Sequence, residues 1–154
     1  MSAIEVRPLP LEECPRAAAI VASNALWTER YSYPPDRAAG DLAQAVSRGD
    51  LVLGAHGPAL LGFAWVLPLG AFGRHPYLRL LAVDAAAHDR GVGALLLSAV
   101  EQRCAGARKM LLMVSDFNDG AQRFYQRHGY AQVGSCPDFV IDGVAELLFM
   151  KTLT

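Results

Sequence analysis

The sequence predicts one α/β domain, a mixed sheet with helices on both faces, of the kind also described as α+β. Three observations carry this reading. Strand-length apolar or alternating runs are interleaved with helically spaced segments in the order β-α-α-β-β-β-α-β-α-β-β. The run Tyr77 to Val83 is almost continuously apolar, as in a central strand covered on both faces. It leads through Gly91-Val92-Gly93 into an apolar helix and then a second such strand, Lys109 to Val114. A strand–helix–strand unit of this type is expected to be a right-handed crossover between parallel strands.

Each element has its own signal. Ile4-Glu5-Val6-Arg7 alternates as a short strand does, and Pro8 and Pro10 end it. Leu11 to Leu26 carries Leu11, Cys14, Ala18, Val21, Ala22 and Ala25 at three- and four-residue steps, a first helix. Pro34-Pro35 separates it from a second helix, Asp36 to Arg48, which Gly49 closes. Asp50 to Ala55 and Ala59 to Leu67 are strands joined by a turn at His56-Gly57-Pro58. Pro68 to Pro76 reads as a loop, and Arg79 interrupts the apolar strand that follows. Beyond the glycine turn, Val92, Leu95, Leu96, Ala99 and Val100 form a helical stripe that Gly106 ends. Asn118-Asp119 caps a helix from Asp119 to His128, with Gly129 at the position after its end. Tyr130 to Gly134 and Val144 to Thr152 are strands, and the segment from Cys136-Pro137-Asp138 to Gly143 is a loop.

Composition narrows the possibilities. The 154 residues suit a single domain over 1–154, 53 % are hydrophobic and 19 % charged, and a disordered chain would show the reverse balance. A net charge of −1 gives no pull toward nucleic acid or an anionic membrane. No apolar run reaches the roughly 18 residues of a membrane span, and Met1 to Arg7 carries no signal-peptide pattern. Cys14, Cys104 and Cys136 lack metal-ligand spacing and read as reduced thiols, so no metal site and a cytoplasmic location are expected. Exposed strand edges near the C-terminus make a homodimer an open expectation.

The chemistry concentrates at the glycine turn. A strand, a glycine turn and a helix start aim free backbone N–H groups at an anion, and the helix dipole favours negative charge there. Gly91 and Gly93 lack a Cβ that would hold an anion off, and Arg90 adds a fixed positive charge. A dinucleotide fingerprint is absent, because Leu96 stands where its third glycine would be.

Two motifs, about 30 residues apart, resemble those of the GNAT superfamily of acyl-CoA-dependent N-acyltransferases. His88-Asp89-Arg90-Gly91-Val92-Gly93 is similar to the family's phosphate motif, except that His88 stands where Gln or Arg is usual. Asn118, Ala121, Phe124, Tyr125 and Gly129-Tyr130 match its second motif. The resemblance implies a mostly antiparallel sheet whose central parallel pair splays apart. It also implies acetyl-CoA as co-substrate, with its pyrophosphate at Asp89, Arg90, Gly91, Val92, Gly93 and Ala94 and its pantetheine arm along Leu81, Ala82 and Val83. It makes the Val83 N–H a donor to the oxygen that gains charge, Asn118 a cofactor contact, and Tyr125 a further contact and the acid that protonates the leaving thiolate. The implied reaction is acetyl transfer to a primary amine of a small molecule or peptide by direct attack. The competing reading is an acyl-CoA-binding module with a regulatory or interaction role.

Plainer readings stand beside these. Tyr125 shares a helix side with Ala121, Phe124 and His128, as a core tyrosine would, and Asn118 is also a helix cap. The general base stays open. The two central strands offer Arg79 and Met113 and no Glu, which leaves Asp84, Glu146, Asp138, Asp142, His75 and His128. Trp27, Tyr31 and Tyr33 are candidate walls for the acceptor, and Glu29, Asp36 and Glu146 are candidate attractors of a cation.

Overall fold

The computed structural model describes residues 3–153. Seven strands form one sheet: β1 (Glu5–Pro8), β2 (Leu51–His56), β3 (Leu60–Ala71), β4 (His75–Val83), β5 (Lys109–Ser115), β6 (Ala131–Pro137) and β7 (Ala145–Thr152). Their order is β1-β2-β3-β4-β5-β7-β6, and every neighbouring pair is antiparallel except β4 and β5. The helices are α1 (Cys14–Ala22), α2 (Pro35–Ser47), α3 (Val92–Arg103) and α4 (Asp119–Arg127).

Two cores sandwich the sheet. On one face α1 and α2 pack Ile20, Val21 and Leu42 against Phe63, Trp65 and Leu80. On the other, α3 and α4 cover Val66, Leu78, Met110, Leu112 and Phe149 with Leu96, Leu97 and Val100 at the centre. Gly62 lies beneath α3. A Cβ there would meet the Ala82 carbonyl oxygen at 2.8 Å and Val92 at 3.1 Å, so glycine sets how closely the helix approaches the sheet.

Four expectations change. The first helix stops at Ala22, not Leu26, because the Ser23 hydroxyl and the Asn24 amide both donate to the Ile20 carbonyl, at 2.6 and 3.0 Å. Those side chains compete with the backbone for helical acceptors. The chain then makes one π-helical turn, Leu26–Arg30. The Pro68 to Pro76 loop is mostly strand: β3 runs to Ala71 and β4 starts at His75, a hairpin in which exposed Pro68 and buried Pro76 both fall in the irregular stretch between the Leu67–Tyr77 and Ala71–His75 pairs. Cys136 and Pro137 also belong to a strand, the sheet-edge β6, and not to a loop.

The fourth change concerns Arg79. Trp65 pairs with Leu80 and Val66 with Leu78, so Arg79 has no partner and β4 bulges there. The bulge shifts the alternation of side chains. Leu78 enters the core beneath α3, while Leu80 and Ala82 enter the core beneath α1 and α2.

Candidate functional site

The bulge sits one residue past the point where β4 and β5 part. They pair only at Tyr77–Leu111 and Leu78–Leu112. Beyond that, β4 follows β3 as far as Val83 and β5 follows β7 as far as Ser115, leaving a wedge between them. Backbone alternation determines which groups face it. The Asp84 N–H donates to the Leu61 carbonyl at 2.8 Å, so Ala82 turns its backbone groups toward β3 and Leu81 and Val83 turn theirs into the wedge. On the other wall the Asp116 N–H donates to the Ala145 carbonyl at 2.9 Å, which turns Met113 and Ser115 inward. The Asn24 amide donates to the Val83 carbonyl at 3.1 Å and pins this end of β4 to α1. The N–H groups of Leu81 and Val83 face the wedge with no strand opposite.

The wedge opens beside the start of α3. Asp84 accepts the Ala86 N–H and starts a 3₁₀ turn over Ala85–Ala87. Asp89 and Gly91 then take left-handed φ values of 66° and 75°, and Gly91 caps the helix without a side-chain hydrogen bond. The N–H groups of Val92, Gly93 and Ala94 therefore lack intrahelical acceptors and can bind an anion. The two glycines serve different ends. Gly91 supplies the conformation, with open space around it. Gly93 is ordinary helix, where a Cβ would lie 3.4 Å from the Phe124 ring. Arg90 and His88 are exposed, and His88 keeps an extended backbone, so this departure from the motif leaves the turn intact.

Asn118 caps α4, its side-chain oxygen accepting the Ala121 N–H at 3.1 Å. One turn beyond Ala121, Tyr125 is half-buried, with Phe124 edge-on at 5.1 Å and Tyr130 at 5.7 Å. Its hydroxyl makes no hydrogen bond among the described residues. Burial first, and then the neighbouring Tyr77, raise its pKa, so the proton stays on oxygen across the neutral range.

A second polar cluster lies at the end of β5. Ser115 and Glu146 are paired across β5 and β7, only 5 % and 7 % exposed. The Ser115 hydroxyl donates to Glu146 Oε2 at 3.1 Å, and the Tyr31 hydroxyl donates to the same oxygen at 2.7 Å and also touches Ser115. The π-helical turn delivers Tyr31 to this point, with the Trp27 ring 5.7 Å away. Burial, more than any other cause, pushes the Tyr31 phenol up to about 12. Tyr77 faces the same space, its pKa raised first by burial and further by Glu146 and Cys136. Cys136 is paired with Glu146 across β6 and β7 and so shares its face.

The other proposed bases are placed differently. Asp84 forms a 2.6 Å ion pair with Arg16, which more than any other contact holds its carboxyl below the usual range. Asp138 accepts the Gly143 N–H at 2.7 Å within the β6–β7 loop, where Asp142 is exposed. His75 begins β4, at the end remote from Val83, and the His128 ring lies 4.6 Å from Phe124. Of the proposed acceptor walls, Tyr33 is a core residue, 6 % exposed, with its hydroxyl on Asp41. Glu29 and Asp36 are exposed. Ser115, Tyr77, Asn24 and Cys136 were not singled out as site residues by sequence. Ser115 alone carries a local signal, a polar residue closing an apolar run. Among the described residues no cluster of three or more potential metal ligands occurs, and no helix is long and apolar enough to cross a membrane.

Fold and site together define an α/β protein whose two central parallel strands part beside a helix start with free N–H groups. The model of the acetyltransferase (GNAT) family matches residues 19–130, and the chain belongs to that family. Among solved structures, the chain is similar to a GNAT-family protein of Desulfovibrio desulfuricans, with 20 % identity, TM-score 0.83 and complete coverage of both chains. It is also similar to the PaiA N-acetyltransferase of Thermoplasma acidophilum in complex with coenzyme A, with 21 % identity, TM-score 0.75, and 97 % of this chain and 99 % of that one covered. A third is the ribosomal-protein-S18-alanine N-acetyltransferase of Escherichia coli, with 15 % identity, TM-score 0.81, and 99 % and 95 % covered. No curated protein matches the chain by sequence.

Proposed function

We propose that the protein transfers an acetyl group from acetyl-CoA to a primary amine of a small molecule or peptide by direct attack. The observation that carries this reading is the alignment of two sets of unpaired donors. The first-turn N–H groups of α3 suit a pyrophosphate, and the Leu81 and Val83 N–H groups suit the amides and carbonyl of an extended acyl-pantetheine arm. Family membership and the coenzyme A complex of the Thermoplasma neighbour support it.

In this reading Arg90 and the Val92, Gly93 and Ala94 N–H groups hold the pyrophosphate. Leu81 and Asn118 line the arm, Ala82 behind it holds β4 to β3 through its backbone, and Asp89 shapes the loop through its left-handed backbone. The Val83 N–H donates to the carbonyl oxygen as it gains charge. Tyr125 gives its proton to the departing sulfur. A thiol near 8.5 is a stronger acid than a phenol near 10, so this transfer runs uphill by roughly 2 kcal/mol before the site tunes it. The test is calorimetry with acetyl-CoA, followed by thiol release across a panel of primary amines, amino acids and peptides. Tyr125→Phe is expected to lower kcat about 100-fold while leaving acetyl-CoA affinity within about threefold. Unchanged turnover would remove Tyr125 from the mechanism, and no binding at millimolar acetyl-CoA would sink the function.

A further inference from the structure

We propose that Glu146 is the general base of the transfer, with Ser115 and Tyr31 as the residues that position it. This assignment rests on amine acetylation as the reaction.

A buried carboxylate is costly unless it is paired. Even partly buried carboxylates elsewhere are ion-paired: Asp84 has Arg16, Asp50 has Arg48 and Glu101 has Lys151. Glu146 is 7 % exposed, and among the described residues no cation lies within ion-pair distance. Arg30, adjacent to Tyr31, stacks instead over the Phe117 ring at 3.9 Å. Only neutral hydroxyls hold Glu146, so its charge is left for an incoming ammonium ion.

Tyr31 and Ser115 both donate to Oε2, which fixes the plane of the carboxylate. Oε1 has no hydrogen-bond partner among the described residues. The register that pairs Glu146 with Ser115 puts it at the end of β5, on the wall facing Val83 and past the last β4–β5 pair. The carboxylate therefore stands across the wedge from the N–H assigned to the reacting carbonyl. Of the other candidate acids, Asp84 is ion-paired, Asp138 is bound to backbone and Asp142 is exposed.

Glu146 Oε1 takes one proton from R–NH₃⁺, leaving R–NH₂ and a carboxylic acid. The nitrogen lone pair then forms the C–N bond, and the C–S electron pair departs with sulfur. Tyr125 protonates the sulfur and regains a proton from the nitrogen as the amide forms. Glu146 finally returns its proton to solvent, so each amide formed releases one proton.

Glu146→Gln keeps the volume and removes the base. Its kcat/KM for the amine at pH 7 is expected to fall about 100- to 1,000-fold, with acetyl-CoA affinity unchanged within about twofold. The deficit should shrink as pH approaches the amine pKa of about 10.4, where free amine becomes abundant. Glu146→Asp, which keeps the charge, should recover part of the rate and the wild-type pH dependence. Tyr31→Phe should lower kcat about threefold to tenfold with the wild-type pH profile retained, whereas a merely structural Tyr31 would shift the melting temperature alone. A Gln variant within threefold of wild type and with a parallel pH profile overturns the assignment. So does a wild-type protein that binds acetyl-CoA but acetylates no amine of the panel. A wild-type protein that binds no acetyl-CoA refutes instead the function beneath it.

Discussion

Gly91 and Gly93 belong to one motif but answer to different physics, and substituting each with alanine separates them. Gly91 has φ +75° with nothing within 4 Å of an added Cβ, so Gly91→Ala meets no clash and suffers only backbone strain. A left-handed L-residue costs about 1–2 kcal/mol. The loss of unfolded-chain freedom returns about 0.4–1 kcal/mol, leaving a net cost near 1 kcal/mol. At about 2.1 cal/mol/K per residue, a chain of 154 residues has an unfolding entropy of about 0.32 kcal/mol/K, so the melting temperature should fall about 3 °C. Gly93 is ordinary helix, and the Cβ of Gly93→Ala would make a 3.4 Å contact with the Phe124 ring. Alanine is favoured there by up to about 1 kcal/mol, and the melting temperature should hold or rise by up to about 3 °C. Thermal unfolding monitored by circular dichroism reads both variants. Calorimetry should find acetyl-CoA affinity weakened up to about fivefold in Gly91→Ala, the equivalent of about 1 kcal/mol, and little changed in Gly93→Ala. Gly91→Asn, which tolerates the left-handed region, should recover most of the loss. An unchanged melting temperature in Gly91→Ala, or a larger fall in Gly93→Ala, would refute this division of roles.

Two further outcomes follow from neighbouring contacts. Arg16 holds the folded-state carboxyl of Asp84 below its ordinary value, so this pair stabilises the fold above about pH 4 and the contribution disappears as pH falls through the lower folded value. The pair is partly exposed and worth about 1 kcal/mol or less. The melting difference between wild type and Arg16→Met should therefore be full at pH 6 and shrink as pH falls below about 4, leaving the part due to the bond from Arg16 to the Leu60 carbonyl, and a difference that does not shrink would contradict it. Cys136 shares its strand face with Glu146, so alkylation by iodoacetamide should cut amine acetylation at least tenfold while sparing acetyl-CoA binding. Cys136→Ser, treated in the same way, should keep its activity, and an equal loss there would assign the effect to Cys104.

Local signals carried much of this protein. The alternation of apolar residues located the strands, Asn118 announced the cap of α4, and the glycine turn marked a helix start with free N–H groups. These are short-range steric and hydrogen-bonding preferences, legible wherever the residues sit side by side. The end of the first helix was less legible, because Ser23 and Asn24 stop it through their own side chains and a helical spacing of alanines does not register that competition.

The amino-acid sequence by itself therefore determined the element order, the parallel crossover and the helix start at Gly91, since each depends on neighbours along the chain. Tertiary structure decided where the sheet opens and what faces the opening. Nothing local distinguishes Arg79 as a bulge; the register of β4 against β3 makes it one, and the strands part beside it. Tyr31 and Glu146 lie 115 positions apart, and Ser115 and Glu146 lie 31 apart. Their meeting depends on the β5–β7 register and on a single π-helical turn. Sequence left six candidates for the base; strand pairing brought one of them, with two hydroxyls, to the mouth of the wedge.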